Sequence, residues 1–405
     1  MNTNSIDLVK LLQFGMGNLD WNTWVDRYNE KYNELNVDGF TFSPMTLMGT
    51  YAQLVSSAGI KALPTWVDPD SPGYETTLRQ FSGETGDIPT AKAFSRINSK
   101  ILKERMRIIQ QVGQGAFNAS LQETLFNLFD EGTENLIAGY RNALTHMRHQ
   151  VVSKGSFTLS ADNNPRGLKG IELTYGIKDD HRIDIVTPNS GSTPKATAFW
   201  TKEDHSPANE GTASDPLKWL RDTVKDIRRK WHYYGPLTME LTSDLWDDLA
   251  THTKVLGRIG AQLYPNVEDA DTVLRNAQNE SEERVKSMIK NYVKVDEVKL
   301  QDSYAVVNAP GIDEDGLPDI IGTTIENFKK ENIVFRPSGN IGDIQGVQPM
   351  TVGIRPEDTG WFDGGRLLLT QRPEAKTKSI YFDSEFAQLP VLNMPQYHFI
   401  CTVTK

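Results

Sequence analysis

Apolar positions recur most regularly between residues 121 and 151, where Leu121, Leu125, Phe129, Leu136, Tyr140, Leu144, Met147 and Val151 follow one another at three- or four-residue steps or multiples of them. That spacing predicts one long amphipathic helix over 120–154. Ser120 can cap it, with Glu123 three residues on completing a capping box. Gly155 stands where a left-handed residue ends a helix. Acids (Glu123, Asp130, Glu131, Glu134) crowd the first half and bases (Arg141, Arg148, Lys154) the second, the order the helix dipole favours. At about 1.5 Å per residue the helix would run roughly 50 Å. Gly132 replaces an apolar residue in the stripe, and with Gly139 it allows a bend.

The segments before this helix differ in kind. Residues 6–35 carry scattered apolar positions, among them Leu11, Phe14, Trp21, Trp24 and Tyr28, and Gly15 and Gly17 break them into short helical pieces. This arm lacks a core of its own. In 61–99, Pro64, Pro69, Pro72 and Pro89 forbid continuous helix. The clusters Asp68-Pro-Asp-Ser-Pro-Gly73 and Gly83-Glu-Thr-Gly-Asp87 read as turns, leaving strands at 74–81 and 91–97. A long excursion of this sort inside a compact chain is uncommon and usually functional. Residues 100–112 read as helical.

Beyond Gly155, strands are expected at 156–160 and 171–175, then a polar loop over 187–214. Asp215-Pro216 opens a helix to about Trp231, with proline at an early helical position. Strands at 237–241, 295–300, 305–307 and 333–335 alternate with helices after Ser243 and over 269–292, giving an α/β region. Residues 366–371 and 378–383 form a hairpin, and 397–403 a last strand. The sequence shows no internal repeat.

With 405 residues, 38% hydrophobic and 24% charged, the chain is globular and long enough for two joined domains with extensions. Its net charge of −10 makes it a poor nonspecific binder of nucleic acid, since affinity for phosphates comes from Lys and Arg. Arg228-Arg229-Lys230 falls at a helix end, where cations answer the dipole. The single cysteine, Cys401, cannot close an intrachain disulfide and reads as a small buried hydrophobe. No run of about 18 apolar residues predicts a membrane span. Met1-Asn-Thr-Asn-Ser-Ile-Asp7 lacks the basic and apolar regions of a secretory leader, so none is expected.

Candidate chemistry is sparse. Gly113-Gln-Gly115 lacks a third glycine and follows a helical pattern, so it reads as a helix break and not a phosphate loop. His146 and His149 share a helix face without further ligands beside them in sequence. In Asp313-Glu-Asp-Gly-Leu-Pro-Asp319 a calcium loop turning at Gly316 would start on Gly311 and close on Gly322, neither a ligand. Asp179-Asp180-His181 reads as a loop. No catalytic residue, cofactor site or metal site is assigned. The competing enzyme reading is a carboxylate-dependent hydrolase in 215–345, which would need paired acids with shifted pKa values.

The order of the pieces resembles the major capsid proteins of tailed phages with the Hong Kong 97 (HK-97) fold, and within them the lambda-type branch. The likeness rests on Gly155-Ser-Phe-Thr-Leu159, Leu173-Thr-Tyr-Gly-Ile177, Trp200 ahead of Asp215-Pro216-Leu217, and Pro390-Val-Leu-Asn-Met-Pro395 before a final strand. Residues 178–199 depart from the family pattern. The resemblance implies an α+β capsid fold: N-terminal arm (1–60), extended E-loop (61–99), peripheral domain (100–214) with spine helix 120–154, axial α/β domain (215–345), and a return to the peripheral domain (346–405). It implies a non-enzymatic subunit without cofactors. The subunit would self-assemble into hexamers and pentamers of an icosahedral shell in the virion, built in the host cytoplasm. Scaffold, portal and decoration proteins are its expected partners. The shell encloses double-stranded DNA without sequence-specific binding, and an acidic wall suits DNA that must later leave. A related alternative is an encapsulin-like compartment shell. Apolar surface on segments without their own core marks partner contacts. The assembly-interface candidates are therefore Trp21, Trp24, Trp66, Tyr74, Arg79 and Phe81.

Overall fold

The computed structural model describes residues 21–31, 35–47, 50–58, 80–98, 117–160, 163–164, 171–185, 215–308, 323–351, 354–374 and 379–403, with 100, 101, 103 and 107 between. Helix α1 (Trp21–Lys31) leads into strands β1 (Phe40–Phe42), β2 (Thr50–Ala58), β3 (Gln80–Asp87) and β4 (Ala91–Asn98). The long helix α2 (Phe117–Lys154) follows, then β5 (Ser156–Leu159), β6 (Ile171–Thr174) and β7 (Arg182–Asp184). The α/β region holds α3 (Pro216–Lys230), β8 (Leu237–Leu241), α4 (Ser243–Thr251), α5 (Thr253–Leu263), α6 (Ala270–Gln278) and α7 (Glu282–Val293). Strands complete the chain: β9 (Glu297–Leu300), β10 (Tyr304–Asn308), β11 (Thr323–Glu326), β12 (Asn332–Pro337), β13 (Gly342–Val347), β14 (Thr359–Phe362), β15 (Leu367–Glu374), β16 (Ser379–Leu392) and β17 (Phe399–Thr402).

Two hydrophobic cores organise these elements. The first lies between α2 and a sheet of order β1-β13-β16-β15-β14, to which β4 adds along β16. β16 is its spine strand: residues 379–385 pair with β4 on one side and β15 on the other, and residues 387–392 pair with β13. Its alternation turns Ile380, Phe382 and Phe386 inward against α2. The expected stripe of α2 supplies Phe129, Leu136, Tyr140, Leu144, Met147 and Val151, all buried. Gly132 lies close to the sheet: a Cβ there would sit 3.3 Å from Ser95 Oγ. The helix begins at Phe117, one turn ahead of Ser120, because nothing in Phe117-Asn-Ala119 breaks it. Ser120 is therefore not its cap.

The second core fills the α/β region around the sheet β7-β17-β12-β8-β9. β8 and β12 are buried along their whole length, and α3 carries Leu217, Leu220, Val224 and Ile227 toward them. Asp215 caps α3, its side chain accepting from the backbone N–H of Lys218 at 3.1 Å. The expected helix over 269–292 is two helices, broken at Asn279-Glu280.

Two expectations are corrected. The last strand, β17, pairs with β12 and β7 in the α/β sheet instead of returning to the peripheral strands. Phe399 and Cys401 point into the second core, which local alternation cannot assign to one sheet or the other. The strand pair of the excursion also differs. β3 covers Gly83-Glu-Thr-Gly-Asp87, which composition marks as a turn, and pairs with β2 from Thr50↔Asp87 to Ala58↔Gln80. Backbone pairing overrides weak local preference here. The excursion thus starts near residue 50, inside the segment assigned to the arm, and β4 belongs to the body.

Candidate assembly surfaces

Helix α1, the described helix of the arm, packs on its own chain. Trp21, Trp24, Val25 and Tyr28 fall at i, i+3, i+4 and i+7, one complete apolar face. Trp21 stacks on Phe382 at 5.4 Å and donates its Nε1 hydrogen to Leu369 O at 3.2 Å. Trp24 meets Phe129 edge-on at 6.3 Å. Val25 seats against Gly360, where a Cβ would come within 2.4 Å of it. Asn29 ties the helix to the β14 turn, donating to Trp361 O and accepting from Asp363 N. Trp21 and Trp24, expected at contacts with neighbours, are only 2% and 1% exposed within the single chain. The helix repeat gives α1 a face that the first core receives.

Of the other candidates, Trp66, Tyr74 and Arg79 lie outside the described residues. Phe81 belongs to β3, opposite Ser57 of β2. The β2–β3 pair joins no third strand among the described residues, and β10–β11 and β5–β6 are likewise two-stranded. Exposed apolar side chains gather near these ribbons: Tyr304 and Val306 on β10, Leu47 ahead of β2, and Phe94 on β4, 67% exposed. Phe94 packs beside Tyr381, over which the guanidiniums of Arg96 and Arg372 also lie. Lys92–Glu385 and Arg372–Asp383 pairs complete that outer sheet face, which borders an open groove of about 580 Å³. Aromatics and arginines on one face are the composition of interface anchors.

A buried ionic cluster, which sequence reading missed, joins the two cores. Glu240 of β8 is fully buried and accepts from Arg148 of α2 at 2.8 Å and from Arg336 of β12. Gln301 donates to its other oxygen at 3.0 Å. Burial disfavours the Glu240 carboxylate, but the two guanidiniums outweigh that and hold its pKa down to about 2. Asp38, after α1, supplies the second negative charge. Its Oδ2 lies 2.9 Å from both Arg148 and Arg336, and its Oδ1 2.7 Å from Lys299. Gly39 follows at φ +80°, a turn that brings the chain against the Arg336 guanidinium. Five distant parts of the sequence meet here, with no local pattern to announce it.

The buried histidines and Cys401 are packed into the fold. His146 shares a 2.8 Å hydrogen bond with Asn327, and His398 one with Val152 O. His181, of the Asp179-Asp180-His181 turn, is wedged between Trp231 and Phe399. Burial, with Arg148 alongside, lowers His149 to about 3, and burial lowers His398 to about 4. Burial pushes the Cys401 thiol up, away from a nucleophilic thiolate. Among the described residues no group of three or more His, Cys, Asp or Glu could hold a metal ion, and no helix is long and apolar enough to cross a membrane. Among the described residues of 215–345 the one deeply buried acid, Glu240, is held ionised by arginines, the opposite of a general acid.

No family model and no curated protein matches this chain. Solved structures do. A phage-related protein from Bordetella bronchiseptica RB50 is 12% identical with a TM-score of 0.46, over 94% of this chain and 96% of that one. The mature capsid of bacteriophage PhiM1 is 9% identical with a TM-score of 0.42, over 92% and 88%. The capsid of cyanophage P-SCSP1u gives 9% and 0.42, over 92% and 89%.

Proposed function

We propose that this chain is the major capsid protein of a tailed phage, a structural subunit that closes with copies of itself into an icosahedral head around double-stranded DNA. The observation that carries this reading is the β2–β3 ribbon. Among the described residues its strands pair only with each other, and neither outer edge is joined by a further strand. An isolated two-stranded hairpin is marginal in water and its open edges invite pairing. A neighbouring copy supplies what the chain does not. Trp66, Tyr74, Arg79 and Phe81, within or beside this excursion, are the residues assigned to that contact. Trp21 and Trp24 act one step removed, by fixing the arm to the body.

The division into arm, extended loop, peripheral domain with spine helix and axial α/β domain is part of the same proposal, as are hexamers and pentamers, scaffold, portal and decoration partners, and assembly in the host cytoplasm. The reading includes no catalytic role, since the buried polar groups described above are engaged in holding the fold. Negative-stain imaging of the purified chain tests it. Closed shells, or rings of five and six subunits, are expected. Monomers alone at high concentration, with and without a scaffold, would refute it.

A further inference from the structure

At the C-terminal end of α2 lies a cavity of about 380 Å³ lined by cations. Lys154 comes from the last turn of α2, Arg182 from the start of β7, and Lys329 from the turn before β12. Asp184 is the only acid in the lining. Among the described residues none of the three cations forms an ion pair.

The cavity is built and not a chance gathering of surface lysines. Asn332, 2% exposed, forms part of its wall. It donates to Ser153 O at 2.8 Å and accepts from Thr402 Oγ1 at 2.9 Å, which locks the helix end to β12 and β17. Gly155 lies at φ +66°, and a Cβ there would fall 2.8 Å from Arg182 Nη2. Glycine at this position lets the guanidinium lie against the helix end, where it donates to Lys154 O at 2.8 Å. The helix dipole accounts for Arg182. It also favours Lys154, in the last turn of α2, but not Lys329, which lies outside the helix; neither lysine donates to a carbonyl among the described residues. Burial and the neighbouring Lys329 charge lower the pKa of Lys154. Three cations against the single lining acid Asp184 leave a positive excess that favours an anion between them.

We propose that this cavity binds a phosphate group, carried either by a free phosphate compound or by the backbone of nucleic acid. Contact of the second kind is blind to base sequence.

Calorimetric titration of the full-length chain with sodium phosphate, against sodium chloride at equal ionic strength, tests the site. Saturable phosphate binding is expected. It should weaken at least about tenfold, or ~1.4 kcal/mol, in the K154Q/K329Q double variant. Lys329→Arg, which keeps the charge, should bind as the parent does. Equal heats from phosphate and chloride, or undiminished binding by a double variant whose circular dichroism is unchanged, overturn the proposal. A short DNA duplex separates the two sources. Duplex binding that falls in the double variant assigns backbone phosphate; phosphate binding without duplex binding assigns a free compound. These titrations read the subunit in solution, so their outcome is independent of whether shells form.

Discussion

Helix α1 and the β2–β3 ribbon lie within one stretch of sequence, and both read as segments unable to build a core. They resolve in opposite ways. In α1 the apolar residues share one helical face, and that face is filled by Phe129, Phe382 and Gly360 of the same chain. The ribbon, flanked by Pro64, Pro69, Pro72 and Pro89, pairs with nothing beyond itself among the described residues. Apolar density alone therefore does not separate a self-contact from a contact with a neighbour. The periodicity of that density, and whether the backbone is satisfied locally, does.

The comparison can be broken most forcefully at Trp24. Trp24→Ala empties a fully buried site and should cost about 3–5 kcal/mol of subunit stability. Chemical denaturation measures this, and an unchanged midpoint would mean that α1 is not bound to the body. Glu240→Gln should cost about 3 kcal/mol, because two buried guanidiniums then face only the half-exposed Asp38. Hydrogen exchange of 35–47 should rise in this variant while exchange of 50–58 and 80–87 stays as in the parent. A rise confined to the ribbon would contradict the linkage of arm to cluster.

A smaller effect comes from acid. His149 and His398 are neutral in the fold, with values near 3 and 4 against an ordinary 6.5. The unfolded state therefore binds more protons below pH 6.5, and stability falls as pH drops from about 6.5 toward about 3. The Glu240 contribution is present above its ordinary value near 4.5 and is lost as pH falls toward about 2. Thermal melts between pH 7 and 4 should show a declining midpoint, and His149→Gln should flatten that slope. A midpoint independent of pH would remove these histidines from the account.

Much of the fold was legible because it is periodic. The stripe of α2, the Asp215-Pro216 helix start and the buried strands 237–241 and 333–335 all follow from spacing and caps. The assignment of β17 to the α/β sheet did not, since a strand with apolar residues on both faces fits either core. β3 was hidden by its glycines, whose turn signal is outweighed by pairing with β2. The Asp38–Arg148–Glu240–Arg336 cluster was illegible in principle, because its members come from four elements and look in sequence like ordinary surface charges. Of the six interface candidates, the two tryptophans of α1 are buried against their own chain, because a complete helical face is more easily buried at home.

The most direct measurement compares the intact chain with one in which 51–86 is replaced by a short Gly/Ser linker, using sedimentation velocity and electron microscopy side by side. Shells or rings from the intact chain and folded monomers of nearly unchanged melting temperature from the deletion are the predicted pair. Assembly that survives the deletion, or two preparations that both remain monomeric, would contradict the claim that a neighbour completes the ribbon.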